Sequence, residues 1–143
     1  MNTPAPRSVR NFNPGNLERS SIEWLGLAEQ RGEQRFCVFR EARWGFRALA
    51  LDLFTSWTKG RKTVRDIVTR FAPPDENDTK AYVDAVAAAL KVSPDEALHL
   101  DDDTQLSALT RAIAVHEAGG WFFSDEDLEE GVQMALPHTE VQG

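Results

Sequence analysis

Apolar residues recur through most of this chain at the period of an α-helix, and sharp stops divide the recurrence into separate segments. Phe46, Leu49, Ala50, Leu53, Phe54 and Trp57 fall at i, i+3, i+4, i+7, i+8 and i+11, one apolar stripe along a helix that Lys59-Gly60 ends. Thr63-x-x-Asp66 resembles a capping box, with Asp where Glu or Gln is usual, and it opens a helix carrying Val64, Ile67, Val68 and Phe71. Pro73-Pro74 stops that helix, since proline has no N–H to give and clashes with the preceding turn. The next begins near Asp78-Thr79 and runs to about Leu90, burying Tyr82, Val83, Val86 and Leu90. Ser93-Pro94-Asp95-Glu96 joins an N-cap, a proline at the first helical position and a Glu in the capping-box place, which predicts another helix start. A helix from about Asp103 to Ala118 meets Gly119-Gly120 as its C-cap. A last helix begins at Ser124, and from Ala135 onward the chain reads as a loose tail.

Only Ile22 to Arg40 breaks the pattern. Ile22, Trp24, Phe36, Val38 and Phe39 favour extended backbone, and the polar stretch Gln30 to Gln34 between them predicts a hairpin turn. The expected class is therefore α+β: a mainly helical domain with one small β-hairpin or sheet near the N-terminus. At 143 residues the chain fits one domain with a single real core. Its expected limits are residues 10–134, between a flexible N-terminal segment (1–9) and a flexible tail (135–143).

The charge balance removes one class of partner. A net charge of −7 opposes binding to nucleic acid, which depends on clustered Lys and Arg. Arg7, Arg10 and Arg19, and again Lys59, Arg61 and Lys62, are small local exceptions that read as solvated loop charges. The longest apolar runs fall far short of a membrane span, and Met1 to Arg7 lacks the apolar centre of a secretory signal. Neither membrane insertion nor a cleavable leader is expected. Cys37, in the apolar run Phe36-Cys37-Val38-Phe39, reads as a small buried apolar side chain. With His99, His116 and His138 scattered, no metal-ligand set stands out, and no metal or organic cofactor is expected.

Two segments carry candidate chemistry. Leu106, Leu109, Ile113 and Glu117 are spaced by three, four and four residues, so a carboxylate falls on the apolar stripe of its helix. It stands in the last turn, where the helix dipole disfavours negative charge. Burial and the negative helix end both favour the protonated form of a carboxyl group, as a general acid requires. Trp121, Phe122 and Phe123 follow at once and are placed to wall such a pocket. The same pattern also suits an exposed Glu at a fraying helix end. Near the N-terminus, Arg10-Asn11-Phe12-Asn13-Pro14-Gly15-Asn16 is rich in turn formers whose amides bond backbone locally. Those amides are equally suited to the N-acetyl and hydroxyl groups of a sugar.

These segments, taken in order, resemble a phage-associated peptidoglycan hydrolase family of virion lysins and endolysins. Its members carry R-N-N-N-P-G-N, a tryptophan before a Phe-x-Val-Phe-type strand, a Gly-x-Arg-Ala helix, an Ala-Pro-Pro-x-Glu-Asn-Asp-Thr block leading to a tyrosine, and a helix ending in His-Glu-x-Gly. The matching positions are Arg10 to Asn16, Trp24, Phe36 to Phe39, Gly45 to Ala48, Ala72 to Thr79 with Tyr82, and His116 to Gly119. Phe12 replaces the middle Asn of the first run, and Phe71 stands where a tyrosine precedes the Ala-Pro. The chain is more loosely similar to the glucosaminidase domains of flagellar-type autolysins, in circularly permuted order, because their Glu-Ser-Gly-Trp element comes first and Glu117-Ala118-Gly119-Gly120-Trp121 comes late.

The resemblance implies a lysozyme-like domain that cleaves the β-1,4 glycan bonds of the bacterial cell wall, by hydrolysis or by transglycosylation. It makes Glu117 the catalytic acid and the Asn13 to Asn16 turn part of the cleft floor. It places a second catalytic Glu on the hairpin, where Glu33, just before the Phe36 strand, is preferred over Glu29, although a Glu there equally reads as a solvated hairpin charge. Trp24, Tyr82 and Trp121 are candidates for sugar contact, as is Asn77 in the Asp75-Glu76-Asn77-Asp78 block, although that block also reads as a helix start. The implied partners are peptidoglycan glycan strands, together with virion or secretion-apparatus proteins. A protein made in the cytoplasm without a leader would reach the periplasm through a holin, a virion or a secretion apparatus. The rival expectations are a catalytically silent wall-binding or virion structural module of the same fold, and a protein-interaction domain with an acidic surface.

Overall fold

A computed structural model describes residues 4–29, 35–74 and 78–136 of the chain. Among them are six helices: α1 (Arg7–Arg10), α2 (Ala42–Thr58), α3 (Val64–Phe71), α4 (Thr79–Leu90), α5 (Asp103–Ala118) and α6 (Asp125–Ala135). Their ends follow local chemistry. Thr63, Asp78 and Ser124 each accept a backbone N–H three residues on, from Asp66, Ala81 and Asp127, and so satisfy a donor the first turn leaves open. Asp102 does the same for Thr104 at the start of α5. Gly119 closes α5 in the left-handed region at φ 78°, which a residue without Cβ adopts freely.

The central helix is α2, whose stripe of Phe46, Leu49 and Leu53 is buried to within 1% of complete. Burial of each such side chain contributes about 1.5–3 kcal/mol. Helix α6 lies along α2, and Gly131 makes the approach possible. A Cβ there would stand 2.7 Å from the Arg47 nitrogen and 2.9 Å from the Arg43 carbonyl oxygen. Helix α4 packs on α5 and α3 on α4, and both α2 and α6 also meet α5. One core results, running from Phe46 through Val68 and Val86 to Ile113 and Val132.

The expected hairpin is not there. Among the described residues the chain has no strand, and the segment from Ile22 to Arg40 carries only isolated antiparallel bridges, Glu18 with Phe36 and Leu27 with Phe39. The reason is that residues 35–40 bond to three different stretches instead of one. Cys37 N–H donates to the Leu17 carbonyl (2.9 Å), Phe39 N–H to Asn11 (2.9 Å) and Arg40 N–H to Gly26 (2.8 Å). No single partner strand can register along them, so the domain is mainly helical and not α+β. The turn expected at Gln30 to Gln34 lies outside the described residues. Beneath this segment Cys37 and Phe39 bury against Ala48 of α2, with Trp24, Leu27 and Trp44 around them, as a small second core.

One further expectation changes. Ser93 to Glu96 makes the bonds of a capping box, Ser93 N–H to Glu96 Oε1 and Asp95 N–H to Ser93 Oγ (3.3 Å each), but no helix grows from it. Leu98 N–H donates to the Lys62 carbonyl (2.7 Å), and Leu98 and Leu100 are both buried. Two apolar anchors at alternate positions demand extended backbone. At the N-terminus, Arg7–Arg10 is helical and Ser8 is fully buried. No helix among the described residues is long and apolar enough to cross a membrane.

Candidate functional site

Glu117 stands in the last turn of α5, half-buried, with its carboxylate at the wall of a cleft of about 590 Å³. That volume falls within the range of ligand clefts, roughly 300–1,000 Å³. Two neutral donors hold the carboxylate. The Asn16 amide Nδ2 donates to Oε1 at 2.8 Å, and the Tyr82 hydroxyl donates to Oε2 at 2.8 Å. Among the described residues no cation forms an ion pair with it. Each carboxylate oxygen keeps a further lone pair for a proton or a substrate.

The two donors are themselves fixed. Tyr82, on α4, is only 2% exposed, and its ring stacks on His116 at 3.7 Å between centroids. Burial first, then the charge of Glu117 and the bond to it, push the Tyr82 phenol well above its ordinary range, so the hydroxyl stays a donor. Asn16 sits at φ 48°, a left-handed conformation that Asn tolerates better than most side chains. The loop holding it there is built by Asn13. That residue is completely buried; its Nδ2 donates to the carbonyls of Leu17 (3.0 Å) and Cys37 (2.9 Å), and its Oδ1 accepts from Leu17 N–H (2.9 Å). Gly15 lets the loop lie on α2, since a Cβ there would come 2.6 Å from the Leu49 side chain.

Of the sequence-predicted residues, the structure brings Glu117, Asn16 and Trp24 together around this cleft, with Tyr82 bonded to Glu117. Asn13 shapes the loop and has no atom left for a sugar. Tyr82 serves the carboxylate and offers no open ring face. Trp121 lies elsewhere, against Phe46 (5.9 Å) and Phe123 (6.0 Å) with Arg111 over its ring at 4.2 Å. Glu33 and Asn77 lie outside the described residues. The cleft also holds residues that the sequence did not single out: Asp52 of α2, Arg70 of α3, and Glu18 and Arg7 from the N-terminal region. Asp52 and Arg70 pair across the helices, Arg70 Nη1 to Asp52 Oδ2 at 3.3 Å. Asp52 falls among the polar positions of α2 and belongs to no motif, so only the packing of α3 on α2 discloses it. Among the described residues no group of His, Cys, Asp and Glu is arranged to hold a metal ion.

Tyr82 gives a direct test of this arrangement. Tyr82→Phe leaves Oε2 without its buried donor, and an acceptor so deprived costs about 1–3 kcal/mol. A lowered urea midpoint with an unchanged slope is the expected result at neutral pH.

Compared with known proteins, the chain is 30% identical over 126 residues to "Protein P5" of Pseudoalteromonas phage PM2, an alignment covering 85% of this chain and 78% of that protein. No protein-family model matches the chain.

Proposed function

The chain belongs to the family of Protein P5 of Pseudoalteromonas phage PM2, and we propose that it is a peptidoglycan hydrolase, a lysozyme-like glycosidase or lytic transglycosylase that cuts β-1,4 glycan bonds of the bacterial cell wall. The observation that carries this reading is the Glu117 carboxylate, lining an open cleft, held between two neutral donors and, among the described residues, paired with no cation. A structural carboxylate at the C-terminal end of a helix, against the dipole, would call for a cationic partner. Among the described residues Glu117 has none, which favours a role toward a ligand.

In this reading Glu117, protonated, gives its proton to the bridging oxygen of the scissile bond, and the C1–O bond breaks with its electron pair on that oxygen. Asn16 and Tyr82 hold the carboxyl group in a single orientation while this happens. Trp24, half-buried, lines the cleft as the ring that would stack on a sugar, and Phe36 and Phe71 line the same space. Glycan strands are the partner. Other virion or secretion-apparatus proteins would deliver the chain to the periplasm and cell wall.

Mass spectrometry of purified sacculi digested with the protein tests the reaction: muropeptides with reducing or 1,6-anhydro ends are expected, and intact glycan with protein bound to it would leave a binding module instead. A cellular test complements it. Production in the cytoplasm is expected to leave bacteria intact, while fusion to a periplasmic export signal lyses them. Equal toxicity of the two forms would exclude the wall as target.

A further inference from the structure

We propose that Asp52 is the base of this cleft, taking the proton of the attacking water, and that Arg70 is the residue that positions it. The inference rests on the glycosidase reading above and decides a point which that reading leaves open, because a separate base makes the reaction a hydrolysis and not an anhydro-forming transglycosylation.

Three observations place Asp52 in this role. Its side chain is 18% exposed, and it lines the same cleft as Glu117. The two carboxylates line the one cleft from different helices, α2 and α5. Arg70 engages one of the two carboxylate oxygens, Oδ2, through a single 3.3 Å contact instead of a bidentate clasp. Oδ1 keeps its lone pairs for water. A carboxylate placed only for stability on a helix surface is usually far more open to solvent; Asp84, paired with Lys80, is 53% exposed.

The chemistry balances without any further reactant. Glu117 protonates the leaving oxygen, water adds to C1, and the water proton passes to Asp52. The products are two sugar ends carrying one added water, and a proton returns from Asp52 to Glu117 through solvent. Burial pushes the Asp52 carboxyl above its ordinary range, against the pull of Arg70, Lys59 and Arg61, which makes it a better proton acceptor once ionised. Glu117 lines the same cleft from α5.

The test compares wild type, Asp52→Asn, Glu117→Gln and Arg70→Met on purified peptidoglycan, with sodium azide as an added nucleophile. Wild type is expected to yield hydrated reducing ends. Asp52→Asn is expected to lose roughly 10²-fold or more in turnover, the scale of a general base. Azide, which needs no deprotonation, is expected to restore cleavage in Asp52→Asn with azide bound at C1, and to do nothing for Glu117→Gln. Full activity in Asp52→Asn, or a loss that azide leaves untouched, would overturn the assignment, as would 1,6-anhydro ends from wild type. Arg70→Met keeps the proposal testable should Asp52→Asn fail to fold. Losing that cation lets Asp52 hold its proton to higher pH, so the acidic limb of the rate profile should move toward neutral; an unmoved limb overturns the positioning role. If wild type cuts no glycan at all, it is the glycosidase reading that has failed, and not the assignment within it.

Discussion

Glu117→Gln should reduce wall-lytic turnover by roughly 10²-fold or more while the protein stays folded to the same temperature or a slightly higher one. The two halves of this result follow from one geometry. The substitution removes the proton donor but keeps the side chain's shape and its place between Asn16 and Tyr82. It also removes a negative charge from the negative end of α5. Activity is thereby separated from stability, in the usual trade-off of catalytic positions. A thermal melt beside a turbidity assay on the same preparation reads both; a well-folded variant that still clears wall suspensions would remove Glu117 from the mechanism.

The second large effect is expected at Gly45. It lies on the face of α2 beneath the N-terminal loop, where a Cβ would collide with the Phe12 carbonyl oxygen and stand 2.7 Å from Cδ of Pro14. These neighbours are backbone and ring, not the ends of flexible side chains, so Gly45→Ala must lift the loop from the helix. Overpacking of this kind costs about 1–3 kcal/mol, or several degrees in Tm for a chain of this size. Because Asn16 rides on the same loop, turnover should fall with stability here, the opposite of the Glu117→Gln pattern. An unchanged melting temperature would mean that the loop does not rest on α2.

The helical part of this molecule was legible because its signals are local. Thr63, Asp78 and Ser124 cap the helices where their spacing predicts, and the Leu106, Leu109, Ile113 stripe lies on the buried face of α5. Period and capping report on neighbours within one or two turns, which a sequence displays directly. The segment from Ile22 to Arg40 misleads for the converse reason. Its β-branched and aromatic residues favour extended backbone, but they do not say whether one partner or three will bond it. At the site, Glu117 stood out because a carboxylate interrupts an apolar stripe. Asn16 was visible as turn chemistry, yet its bond to a residue on a distant helix was not. Asp52 was invisible, since a lone Asp beside apolar positions on α2 looks like any solvated charge until Arg70 and the cleft are placed around it.

The bond between Asn16 and Glu117 joins residues 101 apart in the chain, and the one from Tyr82 spans 35. Closing a loop of the longer span costs about 4 kcal/mol of chain entropy before any contact repays it. During synthesis at roughly 5–20 residues per second, some 5 to 20 seconds separate the making of the two residues. The nascent polypeptide is therefore chemically mute: a fragment that stops short of α5 has an amide clip with nothing to hold. On the proposed reading, a site that closes only between distant parts of its own sequence gives a ribosome no partly made product with teeth. By the same token, one proteolytic cut that frees the Asn16 loop would silence Glu117 without touching the helix that bears it.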